Sequence, residues 1–206
     1  MGPRAPVQLR VTGSLSVNDL MWVANTRHGP AAHWHARPRA DEPDHDHLVD
    51  PSAARRYLAD HGVPVPAGDP PPDALGNLRA VRETVHALIG ADEDAWTADA
   101  IALAGRVAFG IEPTGRIAAR KEGWAGFVGD LLPALLVITA QRDRLGRCGN
   151  PACRLAFFDD TRNGARRWCD PGGCGNRIRV RRARGAGRLT AGGAPMAGSD
   201  DGQPPR

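Results

Sequence analysis

Residues 147–185 read RCGNPACRLAFFDDTRNGARRWCDPGGCGNRIRVRRARG and contain every cysteine of the 206-residue chain. Cys148, Cys153, Cys169 and Cys174 are spaced C-x4-C-x15-C-x4-C, a symmetric pair of pairs. Each short pair forms a turn that points two thiols inward, and the loop between folds back to bring the pairs together. A closed, tetrahedral, structural zinc site requires that arrangement, and one such ion is expected. Two disulfides, or a thiol-redox function, are the alternatives. Met1 to Arg10 carries Arg4 and Arg10, but no apolar export segment follows, and no stretch approaches ~20 apolar residues. A cytoplasmic chain without a membrane span is therefore expected, and thiols stay reduced in that compartment. Redox pairs read C-x-x-C beside a strand–helix unit, which these pairs do not. Zinc is the reading that satisfies spacing and context together.

The charge surrounding the cysteines is as informative as their spacing. From Arg142 to Arg188 there are 13 arginines against four aspartates, a net of +9, while the remainder of the chain has a net of −5. The overall +4 thus conceals a basic module joined to a mildly acidic one, and the basic module calls for an anionic partner, nucleic acid first. Lys121 is the only lysine. A GC-rich genome accounts for most of that bias, so the placement of the charge carries more information than its kind.

Outward from this module, the pattern is mainly α. VQLRV (7–11) reads as a strand and Val17 to Ala24 as a helix. Residues 26–50 are polar and rich in His, Pro and Asp, and read as a long loop. Asp50-Pro51 is a helix start, with Asp50 as cap and the helix stopping at Gly62. Asp73 is expected to cap a second helix, whose Leu75, Leu78, Val81, Val85 and Leu88 form an apolar stripe. Thr97 begins another helix, which carries Ile101, Leu103, Val107 and Phe109. VAFGIEPTGRIAARKEG reads as a hairpin across Pro113-Thr114-Gly115. Trp124 to Arg144 is the strongest helical pattern, with a kink expected at Pro133. It runs into Cys148 with almost no linker, so the zinc module should dock on the helical part rather than swing freely. From Thr190 the tail has no apolar content to order it.

Within the zinc module, Gly149-Asn150 and Gly175-Asn176 follow Cys148 and Cys174 at matching offsets, suited to tight turns and to a close approach of backbone to sulphur. Phe157, Phe158 and Trp168 are its large apolar groups, too few to hold a fold without metal. GNRIRVRRARG reads as a short helix ending near Gly185. Its Arg177, Arg179, Arg181, Arg182 and Arg184, with Arg162, Arg166 and Arg167 of the loop, are the candidate nucleic-acid contacts. Pairing with Asp159, Asp160 and Asp170 is the plainer role for some of these arginines, but four acids cannot neutralise 13 arginines.

The run R-x-R-L-x-R-C-x-N-x-x-C-x-x-x-F-x-D-x-x-R-N-x-x-R-R-W-C-x-x-x-x-C-G-N-R, Arg142 to Arg177, resembles the CGNR zinc finger, which takes its name from the tetrapeptide Cys174-Gly175-Asn176-Arg177. Asp159, Arg162, Asn163, Arg166, Arg167 and Trp168 fall where that pattern places them. The resemblance implies an N-terminal helical ABATE domain of stress-induced transcriptional regulators, and Asn25-Thr26 is similar to the Asn-Thr near the start of that domain. DPGG after Cys169 and the His-rich insertion at 28–47 depart from the family pattern. The expected architecture is a helical domain over 1–141, with room for a small β-hairpin, followed by a treble-cleft-like or ribbon-like four-cysteine finger over 142–188 and a disordered tail over 189–206.

His28, His33, His35, His45 and His47 crowd into 20 residues with Asp41, Glu42, Asp44 and Asp46 between them. A second metal site is one reading of that cluster; a solvated loop is the other. No general acid–base pair, nucleophile motif or phosphate loop appears elsewhere, so a non-enzymatic role is expected. Three functions compete: a DNA-binding regulator, with a homodimer and a small-molecule effector of the helical domain as possible additions; a zinc-stabilised protein-interaction module; and a metalloenzyme built on the histidines.

Overall fold

Ser16 starts the first helix, α1 (Val17–Ala24), with a capping box: its Oγ accepts the Asp19 N–H at 3.2 Å, and Asp19 Oδ2 accepts the Ser16 N–H at 2.7 Å. The computed structural model describes residues 15–30, 32, 43–89, 105, 109–111 and 117–191. The expected strand at 7–11, the turn Pro113-Thr114-Gly115, the helix beginning at Thr97 and the tail beyond Ala191 lie outside those residues. After α1 come a two-residue strand β1 (Arg27–His28), its antiparallel partner β2 (His45–Asp46) and a 3₁₀ turn over His47–Val49. The segment expected to be plain loop therefore contains a strand pair, in register His28↔His45 and Arg27↔Asp46. Two residues per strand are too short for alternation to reveal them.

Asp50 caps α2 (Pro51–Asp60), accepting the Ala53 N–H at 2.7 Å, and the helix gives way to Gly62 at φ +77°. Helix α3 (Pro72–Leu88) departs from expectation at its start. Pro71, not Asp73, is the flanking residue, and no side chain caps it. Pro72 supplies helical φ and has no N–H to satisfy, so Asp73 falls inside the first turn, where its charge suits the dipole. Strands β3 (Phe109–Ile111) and β4 (Ile117–Ala119) form the expected hairpin, which places Phe109 in a strand rather than in the helix assigned to it. The long apolar pattern after Trp124 is two helices, α4 (Gly123–Asp130) and α5 (Leu132–Ala140). Pro133 has no N–H to donate four residues back, and the ladder tightens at Leu131, whose N–H reaches Val128 O at 3.3 Å. By length and apolarity, Gly123–Ala140 could cross a membrane, contrary to the expectation that no stretch would, but 61% of it is buried inside the protein.

The main core lies among α1, α3, α4 and α5, around fully buried Leu20, Leu48, Leu58, Leu78, Leu131 and Ile138. Strands β5 (Leu145–Arg147) and β6 (Ala156–Phe158) form the hairpin of the cysteine module, and α6 (Asn176–Ala191) closes it. Helix α6 continues past Gly185, longer than the short helix expected. Leu145 and Ala156 belong to the core of the helical part, and Phe158 packs against it. The hairpin is therefore a wall of the larger domain.

One side chain makes that junction specific. Asn25 Nδ2 donates to Ala156 O at 3.0 Å, and Asn25 Oδ1 accepts the Ala156 N–H at 2.8 Å, both within the protein interior. The Tyr57 hydroxyl donates to Asn25 O at 2.9 Å. Asn25→Ala leaves a buried N–H and a buried C=O of β6 without those bonds, so a loss of about 2–4 kcal/mol is expected. Thermal unfolding of the zinc-loaded variant should show it as a single transition at lower temperature.

Candidate zinc centre and arginine surface

The β5–β6 hairpin carries the first pair of thiols in the turn at its tip. Cys148 N–H donates to Leu155 O at 2.8 Å and Cys153 N–H to Asn150 O at 2.9 Å, which closes the turn. Arg154 follows in the left-handed region at φ 61°, held by a 2.6 Å ion pair with Asp44 of the helical part. Of the second pair, Cys169 precedes and Cys174 lies within a single wide turn, Pro171–Gly175, which leads into α6. Asp170 caps this turn, accepting the Gly172 N–H at 2.9 Å. Hairpin first, helix last, is the treble-cleft-like of the two expected layouts. The DPGG departure thus builds the turn that brings Cys174 to the head of α6.

The four Sγ atoms lie within 4.8 Å of one another, and Cys153 Sγ to Cys169 Sγ is 3.6 Å. A disulfide needs ~2.05 Å, whereas tetrahedral zinc with bonds of ~2.3 Å sets neighbouring sulphurs ~3.8 Å apart. None of the four is in a disulfide; three are buried and Cys169 is half-buried. Bonds from the Cys153, Cys169 and Cys174 thiols pull the Cys148 thiol down, while holding their protons towards it pushes Cys153 and Cys169 up. Such a cluster keeps four thiolates only around a cation. The donor set and spacing fit one structural zinc.

Around the sulphurs, Asn150 is buried, with Nδ2 3.8 Å from Cys174 Sγ, while Asn176 at the matching offset is exposed and begins α6. The two glycines have a different use from freedom of φ. A Cβ on Gly149 would meet Trp168 Cζ3 at 3.0 Å, and one on Gly175 would meet Trp168 Cδ1 at 3.0 Å, so both turns press against one indole. Leu155 and Ala32 complete the apolar shell with Trp168; Phe157 and Phe158, expected to serve there, lie elsewhere. Ala32 comes from the helical part, as does Gly29, whose N–H donates to Cys153 O at 2.8 Å.

The arginines divide into two groups. Arg166 is internal scaffolding: its guanidinium donates to Trp168 O at 2.9 Å and also to Cys169 O, and it lies 5.2 Å from the centre of the Phe157 ring. Arg177 is half-buried and donates to Ala32 O at 3.2 Å. Arg144, not among the candidate contacts, donates to Asp159 O at 3.0 Å and Thr161 O at 2.9 Å. By contrast Arg162, Arg167, Arg179, Arg181, Arg182 and Arg184 are exposed. Pro171 borders the groove lined by Arg167 and Trp168 and also accepts from Arg179 at 3.3 Å, so loop and helix arginines adjoin. Nothing local could have flagged Arg166, whose partners are main-chain carbonyls.

Asp159 is buried and organises the loop between the thiol pairs. Its carboxylate accepts the Thr161 hydroxyl, the Thr161 N–H at 2.9 Å and the Arg166 N–H at 2.8 Å. The Thr161 hydroxyl above all, with those N–H donors, holds its pKa below the ordinary carboxylate value against the opposing effect of burial. A depressed folded-state pKa means stability present above the ordinary value and lost as pH falls through the depressed one. Asp159→Asn should therefore lower the unfolding temperature at neutral pH and flatten its fall in acid. Removing the metal of the four cysteines, by chelator or by Cys148→Ser, should abolish thiolate-bound zinc and lower the same single transition. Calorimetry that resolves a separate, unshifted helical-domain transition would contradict this. Gly175→Ala should cost about 1–3 kcal/mol by crowding Trp168.

Residues 144–185 match the model of the CGNR zinc finger, and residues 23–143 match that of ABATE, whose description reads "putative stress-induced transcription regulator". No curated protein matches the chain. The ABATE match spans more than half of the sequence, and the finger, with its four converging cysteines, follows without a gap. The chain belongs to the ABATE family and carries, directly after that domain, a CGNR finger built on one structural zinc.

Proposed function

We propose that this protein is a cytoplasmic DNA-binding transcriptional regulator rather than an enzyme, with zinc as scaffold and arginine as the contact chemistry. The observation that carries this reading is the adjoining set of exposed arginines, Arg162 and Arg167 on the loop with Arg179, Arg181, Arg182 and Arg184 on α6. Guanidinium groups on a rigid frame suit phosphate oxygens, and a basic helix leaving a zinc site suits a groove. Arg166 and Arg177 serve by holding that frame. A small-molecule effector has a natural seat in the cleft of about 450 Å³ between α1 and the finger, lined by Met21, Trp22, Asn25, Phe157 and Phe158. A ligand there would touch both the element that carries Asn25 and the strand it holds.

Binding of the zinc-loaded chain to duplex DNA should weaken about a thousandfold between 50 and 200 mM salt. Arg179→Ala and Arg182→Ala should each weaken binding and reduce the slope of log affinity against log salt by about one. Arg166→Ala should instead lower thermal stability. An affinity indifferent to salt, or retention on an acidic protein partner that survives nuclease, would replace this reading with a protein-interaction module.

A further inference from the structure

The histidines of the insertion are not scattered over a solvated surface. His28 is 1% exposed, and its Nε2 lies 3.2 Å from Nε2 of half-buried His47. His45, paired with His28 across β1–β2, places its ring 5.2 Å from the His28 ring. Both backbones of the close pair are fixed. His28 sits in the strand pair, and His47 N–H donates to Thr26 O at 2.8 Å. Asp46, between His45 and His47, accepts the Leu48 N–H at 2.9 Å and pairs with buried Arg82 at 2.7 Å. Tyr57 stacks on the His47 ring at 4.2 Å.

The tautomer of His28 follows from its second nitrogen. Nδ1 is 3.1 Å from Gly29 O, and a carbonyl only accepts, so Nδ1 carries the proton. Nε2 therefore presents a lone pair towards His47. An Nδ1–H bonded to a main-chain carbonyl is also how a metal-binding histidine is oriented and made more basic. With metal–nitrogen bonds of ~2.05 Å, two nitrogens 3.2 Å apart subtend about 100° at the ion, near the tetrahedral angle. Among the described residues only the cysteines bring three ligand atoms within 4.8 Å, so His28 and His47 offer a two-nitrogen bite, with the His45 ring centre 5.2 Å from that of His28.

We propose that His28 and His47 hold a second, imidazole-bound ion of the zinc class in the helical domain, with His45 as third ligand. Imidazole nitrogen selects Zn²⁺, Co²⁺, Ni²⁺ or Cu²⁺ over Ca²⁺ or Mg²⁺, and the bite angle favours the tetrahedral ions Zn²⁺ and Co²⁺. The site adjoins the finger through one residue, because Gly29 accepts from His28 and donates to Cys153 O at 2.8 Å. The ordinary alternative is an Nε2–H···Nε2 hydrogen bond inside a packed pair.

Equilibrium dialysis of the zinc-loaded full chain against Co²⁺ separates the two. The expected result is one Co²⁺ per chain in addition to one zinc, with visible bands that lack thiolate charge transfer. In His47→Gln and His28→Gln the cobalt should be lost while the zinc stays, and His61→Ala should keep both ions. Should the buried His28→Gln variant fail to fold, half-exposed His47→Gln carries the comparison. In the wild-type chain alone, Co²⁺ should shift the amide resonance of Gly29 and the ring resonances of Tyr57. No cobalt beyond the zinc, cobalt retained in both variants, or unperturbed Gly29 and Tyr57 resonances would each overturn the proposal. None of these readouts involves DNA, so they stand or fall separately from the regulator reading.

Discussion

Four sulphur atoms within 4.8 Å of one another cannot all be thiolates unless a cation lies among them, and most of what surrounds the finger follows from satisfying that condition. Zinc fixes where the hairpin tip and the head of α6 meet. Trp168 fills the gap between the two turns, and only glycine at 149 and 175 lets the turns come so near its ring. Arg166 and Asp159 then hold the long loop from inside, one by main-chain carbonyls and the other by main-chain N–H groups. The exposed arginines are the remainder, projecting from a backbone that has little freedom left. The metal and the charge thus serve successive levels of one construction, as ion sets backbone and backbone sets guanidinium positions.

The finger is not a bead on a string. A module of this size has too little apolar surface for a core of its own, and this one borrows from its neighbour. Leu145 and Ala156 sit in the helical core, while Ala32 crosses the other way into the cysteine shell. Gly29 approaches so closely that a Cβ would come within 2.2 Å of Ala152 O. Exchange of apolar residues in both directions makes the seam between the two parts hard to open without unfolding either.

The cysteine spacing, the helices with ordinary caps and the charge asymmetry were legible because each is a local pattern. Asp50 and Pro51 and the stripe from Leu75 to Leu88 announce themselves within one or two turns. What was hidden depends on distant partners. Asn25 shows in the sequence only as half of a familiar Asn-Thr pair, and its role stays hidden until Ala156 is set beside it. Arg166 looks like one more surface charge until the carbonyls of Trp168 and Cys169 close on it. The strand pair Arg27–His28 and His45–Asp46 spans a gap that periodicity cannot bridge, which is why the histidines read as loop. Pro133 announced a kink and produced a break, because the residues before it tighten rather than bend. The arginine positions were visible as composition, but their division into props and contacts was not.

The bond pair between Asn25 and Ala156 joins residues 131 positions apart. During synthesis the Asn25 amide emerges 131 residues ahead of its partner on the strand. Until then one wall of the core around α1 is missing. The helical part therefore lacks two hydrogen bonds and the Leu145 and Ala156 side chains of its core until the hairpin follows. The zinc finger, translated after the helical domain, is in this sense the step that completes the domain preceding it.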